Sequence, residues 1–170
     1  MNLSIESMLH RMCFRALVSW LALAGAAVSG SNLYAAALSP PTAVIVKGET
    51  AWTRIEYRSQ GSAVSGLQFD LQYDRRMLYI EVSIGSGAAV VGKALTTTVL
   101  PNGDLRILIG GFNQTVIGDG GAVDLNIKMA VFASTGPHPL GITNVVGVRP
   151  DGTGVSVRRV GQGRITAIPQ

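Results

Sequence analysis

The chain has 170 residues, with 14 Lys and Arg against 10 Asp and Glu, for a net charge of +4. That length suits one ordinary domain after an export leader. The basic residues form no run and no aromatic stripe runs among them, so nucleic acid is excluded as the expected partner. The one cysteine, Cys13, lies in the N-terminal stretch, which excludes thiol catalysis, disulfides and cysteine-bound metal from the rest of the chain.

The N-terminal stretch reads as a secretory signal peptide over residues 1–37. Arg11 and Arg15 give it a positive start, and Ala16–Val28 is an uncharged apolar run. This run is short of the roughly 20 residues a membrane helix needs. Ala35-Ala36-Ala37 matches the small-residue pattern of a cleavage site, so the mature chain is expected to begin near Leu38, with no stable membrane span after cleavage. The expected location is secreted, periplasmic or cell-surface. Residues 38–42, with Pro40-Pro41, read as a lead-in to a domain at 43–168.

From there the chain alternates apolar and polar residues between Gly and Pro breakers. Thr53, Ile55 and Tyr57 face one way and Trp52, Arg54 and Glu56 the other. Phe69, Leu71 and Tyr73 alternate with Asp70 and Gln72. Asp74 is placed to cap a helical turn over Arg75–Leu78. Leu105, Ile107 and Ile109 repeat the alternation. Val123, Leu125, Ile127, Met129 and Val131 carry it furthest. Further strands are expected at about Ala43–Val46, Leu78–Ser83, Leu95–Val99, Leu140–Val148, Val155–Val160 and Arg164–Ala167. Asn102-Gly103 signals a hairpin, with positive φ tolerated at both residues. Short strands at this spacing predict an all-β sandwich of about nine strands.

No constellation for catalysis emerges. His138, between Pro137 and Pro139, reads as an exposed loop residue without an acidic partner. Asp104, Asp119 and Asp151 adjoin Gly, as turn residues do. No Asp-x-Asp spacing suggests calcium, and Gly118–Gly121 lacks the Lys and helix of a phosphate cradle. The chain is therefore expected to be a non-enzyme that needs no metal and no other cofactor. Binding through a sheet surface remains. Trp52 and Tyr79 stand out of the core phase and could stack on a sugar ring.

The run Val64-Ser65-Gly66-Leu67-Gln68-Phe69-Asp70-Leu71-Gln72-Tyr73-Asp74, continuing through Leu78 to Val82, resembles the early core of cohesin domains. The Val44–Tyr57 hairpin with Gly48, the Asn102-Gly103 turn before Leu105-Arg106-Ile107, Gly118-Asp119-Gly120 before Val123-Asp124-Leu125, and the closing Gly161–Thr166 follow in the family's order. The resemblance implies a nine-stranded jelly-roll sandwich related in fold to carbohydrate-binding modules. It implies a dockerin-like or other secreted or cell-surface protein partner, and a place in polysaccharide-degrading assemblies. The family's partner-reading strand falls on Gly66 and Gln68, and Gly66 brings no side chain. Gln68, Asp70, Gln72, Arg106 and Leu108 are the expected partner-binding residues, with direct polysaccharide binding through Trp52 and Tyr79 as the alternative.

Overall fold

The computed structural model describes residues 35–170; the leader helix expected before them lies outside the described residues. Among the described residues twelve strands form two sheets. Sheet one runs β11 (Val157–Arg159), β1 (Ala36–Ser39), β3 (Thr50–Arg58), β8 (Gly120–Met129), β5 (Leu78–Ile84). Sheet two runs β2 (Thr42–Val46), β12 (Gly163–Ile168), β9 (Gly136–Val148), β4 (Gly66–Gln72), β7 (Leu105–Gly110), β6 (Ala94–Val99), with β10 (Gly154–Val155) also paired to β9. The expected β-sandwich is what the chain forms.

Period two explains the core between the sheets. Val123, Leu125, Ile127 and Met129 of β8 have no exposed surface, while the intervening Asp124, Asn126 and Lys128 point outward. Ile55 and Tyr57 of β3, Leu67, Phe69 and Leu71 of β4, and Ile107 and Ile109 of β7 complete the same interior. The Tyr57 hydroxyl has no hydrogen-bond partner among the described residues. Burial first, and the nearby Asp119 charge second, push its pKa up to about 12.

Several local expectations change. Strand β1 occupies Ala36–Ser39, across the expected cleavage point and into the expected lead-in. Val155–Val160 is two short strands, β10 and β11, that belong to different sheets. Strand β9 starts at Gly136, so His138 is a strand residue, only 7% exposed, with Nε2 against the Ser134 carbonyl at 2.9 Å. The flanking prolines are tolerated because β4 pairs with β9 only from Gly141 onward, so the missing N–H groups cost no ladder bond there. Arg75–Met77 forms a hydrogen-bonded turn rather than a helix, and Asp74 Oδ1 accepts the Arg76 N–H at 2.9 Å. In the β6–β7 hairpin Gly103 alone has positive φ (89°), and its N–H donates to the Leu100 carbonyl at 2.9 Å, with Pro101 next to Leu100. Proline favours this turn position.

A four-residue helix, α1 (Ser86–Ala89), follows β5. It lies close against the start of β8, where a Cβ at Gly85 would run into the Gly121 carbonyl.

Candidate functional site

The expected partner-binding residues all fall on the outer face of sheet two, because β4 and β7 are adjacent and antiparallel. Gln68 pairs with Leu108 and Asp70 with Arg106. The rows continue outward. Thr96 of β6, Leu108, Gln68 and Val146 of β9 form one; Thr98, Arg106, Asp70 and Thr143 form the next.

These residues differ sharply in availability. Asp70 has no exposed surface. Its carboxylate accepts two hydrogen bonds from Arg106, Nε to Oδ1 at 2.7 Å and one terminal nitrogen to Oδ2 at 2.9 Å. Asn144 Nδ2 donates a third, at 2.8 Å. These bonds, the Arg106 pair foremost, outweigh burial and hold the Asp70 carboxyl below its ordinary range. Asp70 is therefore internal, a fastener beneath the face and not a contact residue on it. Gln72 is exposed, but its Nε2 is held by Asp104 at 2.9 Å. Gln68 is half-buried and Leu108 is 48% exposed.

Sequence reading missed three participants. Asn144 reaches Asp70 because β9 carries an extra residue opposite β4, between Thr143 and Val146, and Asn144 adopts positive φ (49°) in that bulge. Asparagine inside an apolar strand was the available signal. Val146, 48% exposed, lies across Gln68 from Leu108. The third is the loop after β7. Buried Lys93 donates to the Asn113 carbonyl at 2.9 Å and to its Oδ1 at 2.7 Å, while Asn113 Nδ2 bonds the Val91 and Gly92 carbonyls. Burial lowers the Lys93 pKa. The clamp fixes a loop that carries the fully exposed Phe112.

Between these residues lies a shallow groove, lined by Gly66, Gln68, Leu108, Gly110, Asn113 and Val146. Gly66 and Gly110 leave its floor bare; no atom lies within van der Waals contact of a Cβ at Gly110. The surface is a shallow mosaic in which Asp70 is engaged by Arg106 and Asn144, and Gln72 by Asp104. It can accept apolar side chains, and it presents no nucleophile with a base. Among the described residues no group of His, Cys, Asp or Glu could hold a metal ion, and no helix is long and apolar enough to cross a membrane.

Trp52 (70% exposed) and Tyr79 (64% exposed) project instead from the outer face of sheet one. Trp52 pairs with Asn126 and Tyr79 with Lys128, on opposite sides of β8. They share a face with each other and with none of the sheet-two residues.

No protein-family model and no curated protein matches the sequence. Solved structures do. A non-cellulosomal cohesin from the archaeon Archaeoglobus fulgidus is 17% identical with a TM-score of 0.64, over 79% of this chain and 91% of that one. A type I cohesin of Clostridium thermocellum, in complex with a dockerin, is 11% identical with a TM-score of 0.68, over 79% and 99%. The sixth cohesin of scaffoldin B from Acetivibrio cellulolyticus, also in a dockerin complex, is 17% identical with a TM-score of 0.66, over 79% and 99%. The two-sheet architecture and the length of chain over which it matches these structures agree: the chain has the fold of cohesin domains.

Proposed function

We propose that the domain is a non-catalytic, extracytoplasmic protein-binding module that docks its partner on the outer face of sheet two. The carrying observation is the bare-floored groove between the exposed Leu108 and Val146. A partner helix that lays apolar side chains across Gly66 and Gly110 would fill it without leaving charges unpaired. Support also comes from the fold, since cohesins of similar structure occur in complexes with dockerins. Participation in polysaccharide-degrading assemblies is part of the same proposal. The test is titration calorimetry of the domain against a panel of purified dockerin modules. Binding that Leu108→Asp abolishes, in a variant with unchanged melting, is the expected result. Binding untouched by both Leu108→Asp and Val146→Asp would move the site elsewhere.

A second reading, direct polysaccharide binding, is favoured by the shared face of Trp52 and Tyr79. Two strand spacings separate their strands by ~10 Å, a distance over which two rings can serve one sugar chain. Retardation of the domain in gels containing soluble polysaccharide, lost in Trp52→Ala, is the result this reading requires.

A further inference from the structure

We propose that the exported chain is cut upstream of Ala36, within the small-residue stretch Ala24–Gly30, so that the mature protein keeps all of β1. The inference rests on reading the N-terminus as an export leader, and it places the processing point away from the Ala35–Ala37 triplet.

Three features of β1 carry it. The first is burial: Ala36, Ala37 and Leu38 are 0%, 1% and 0% exposed, and Ala36 and Leu38 belong to the central apolar cluster. The second is position. Strand β1 is interior to sheet one. Ala36, Ala37 and Leu38 pair in parallel with Val157, Arg158 and Arg159, and Ala37, Leu38 and Ser39 pair antiparallel with Arg58, Tyr57 and Glu56. Strand β11 has no other partner in the sheet, so a cut after Ala37 would remove two of the three residues that hold it. The third is charge. Cleavage before Leu38 converts its amide nitrogen to an α-ammonium, with a pKa near 8 and hence charged at neutral pH. Leu38 has no exposed surface, and its carbonyl is locked by the Val160 N–H at 2.8 Å. Placing that charge in the sheet interior is unfavourable.

The sequence offers an alternative immediately after the apolar run. In Ala24-Gly25-Ala26-Ala27-Val28-Ser29-Gly30, small residues recur two apart, as in Ala24 with Ala26 and Gly25 with Ala27. The apolar segment then shortens to Ala16–Leu23, still within the span of ~7–15 residues such segments occupy. The step is a peptide hydrolysis by a leader-processing peptidase. Water supplies the hydroxyl to the acyl carbon and a proton to the departing amine, and no other reactant is needed. Residues between the cut and Tyr34 remain part of the mature chain.

The full chain, expressed in a bacterium with intact export machinery, is recovered from the exported fraction and analysed by intact mass and N-terminal sequencing. The expected first residue lies between Ala27 and Ser31. A first residue at Asn32 or later, Leu38 included, overturns the proposal. An exported or membrane-held chain that retains Met1 overturns the leader reading and the proposal with it. A second variant removes any ambiguity about trimming. Ala35→Arg places a large cation three residues before the Ala37–Leu38 bond while leaving β1 intact. Processing to the same first residue, at wild-type yield, is expected; accumulation of the uncut precursor overturns the inference.

Discussion

The two outer faces of the sandwich are built from strands of equal regularity, yet they treat polar side chains in opposite ways. On sheet two the central acid and the Gln72 amide are spent within the molecule. Asp70 is closed over by Arg106 and Asn144, and Gln72 is tied to Asp104. The exposed apolar side chains beside them are Leu108 and Val146, with the groove over Gly66 and Gly110, and Thr96 and Thr98 flank them on β6. On sheet one the pairs are looser and more exposed. Arg54 lies 3.5 Å from Asp124 and 4.0 Å from Glu56, with both Arg54 and Glu56 well exposed. Above them Trp52 and Tyr79 stand in solvent. The contrast shows that alternation in a strand selects which residues leave the core, but neighbouring strands decide whether those residues are free to bind anything.

Substitutions tell the two faces apart. The largest effect is expected where the faces share a foundation. Phe69→Ala removes a buried ring from β4, leaves a cavity beneath sheet two, and should cost about 3–5 kcal/mol in denaturant unfolding. Next comes Arg106→Ala, which strands the buried Asp70 carboxylate with Asn144 alone. Breaking a fully buried pair costs ~3–5 kcal/mol; the Arg106 side chain is 38% exposed, so roughly 2 kcal/mol is expected here.

Acid sharpens the same point. The folded-state pKa of Asp70 is depressed, so its contribution is fully present above the unfolded value of about 4 and disappears as pH falls through the lower folded value. Wild type should therefore lose stability below about pH 4, and Asp70→Asn should lose less over that interval, as melts at stepped pH would show. Tyr57→Phe deletes a hydroxyl that has no partner among the described residues, and should leave the melting point unchanged or raise stability by up to about 1 kcal/mol. The smallest expected change is Trp52→Ala, within about 0.5 kcal/mol, because the ring touches little. A large loss there would mean that sheet one uses its aromatics for packing, as sheet two uses its acids.

Strand phase was legible in the sequence wherever one face is buried. Leu105, Ile107 and Ile109 point inward as their spacing predicts, as do Val123 through Met129. Trp52 and Tyr79 are exposed, as their phase implied. Three things were not legible, each because it depends on residues distant in sequence. Strand β1 is one: Ala36 and Ala37 stand in a small-residue triplet with no strand pattern, and only pairing with Arg58, Tyr57 and Val157 reveals the strand. His138 is flanked by prolines, which suggests a loop; the absence of a β4 partner at that height allows a strand instead. Asp70 looked like an outward acid because its phase is outward, and nothing local announces that Arg106 and an Asn in a bulge on β9 will cover it.

The parallel ladder between β2 and β12 has a kinetic consequence. It joins Thr42 to Arg164 and Val46 to Ile168, residues about 120 positions apart. Strand β1 likewise waits for β11. Neither ladder can form until nearly the whole chain is present, and closing so long a loop carries its entropic cost before any contact repays it. A chain emerging N-terminus first would leave β2 unpaired, and β1 paired on its β3 side alone, until the last segment arrives. Folding should then be slow, on the millisecond-to-second scale of non-local β topologies, and should be completed by the final strand rather than nucleated by the first.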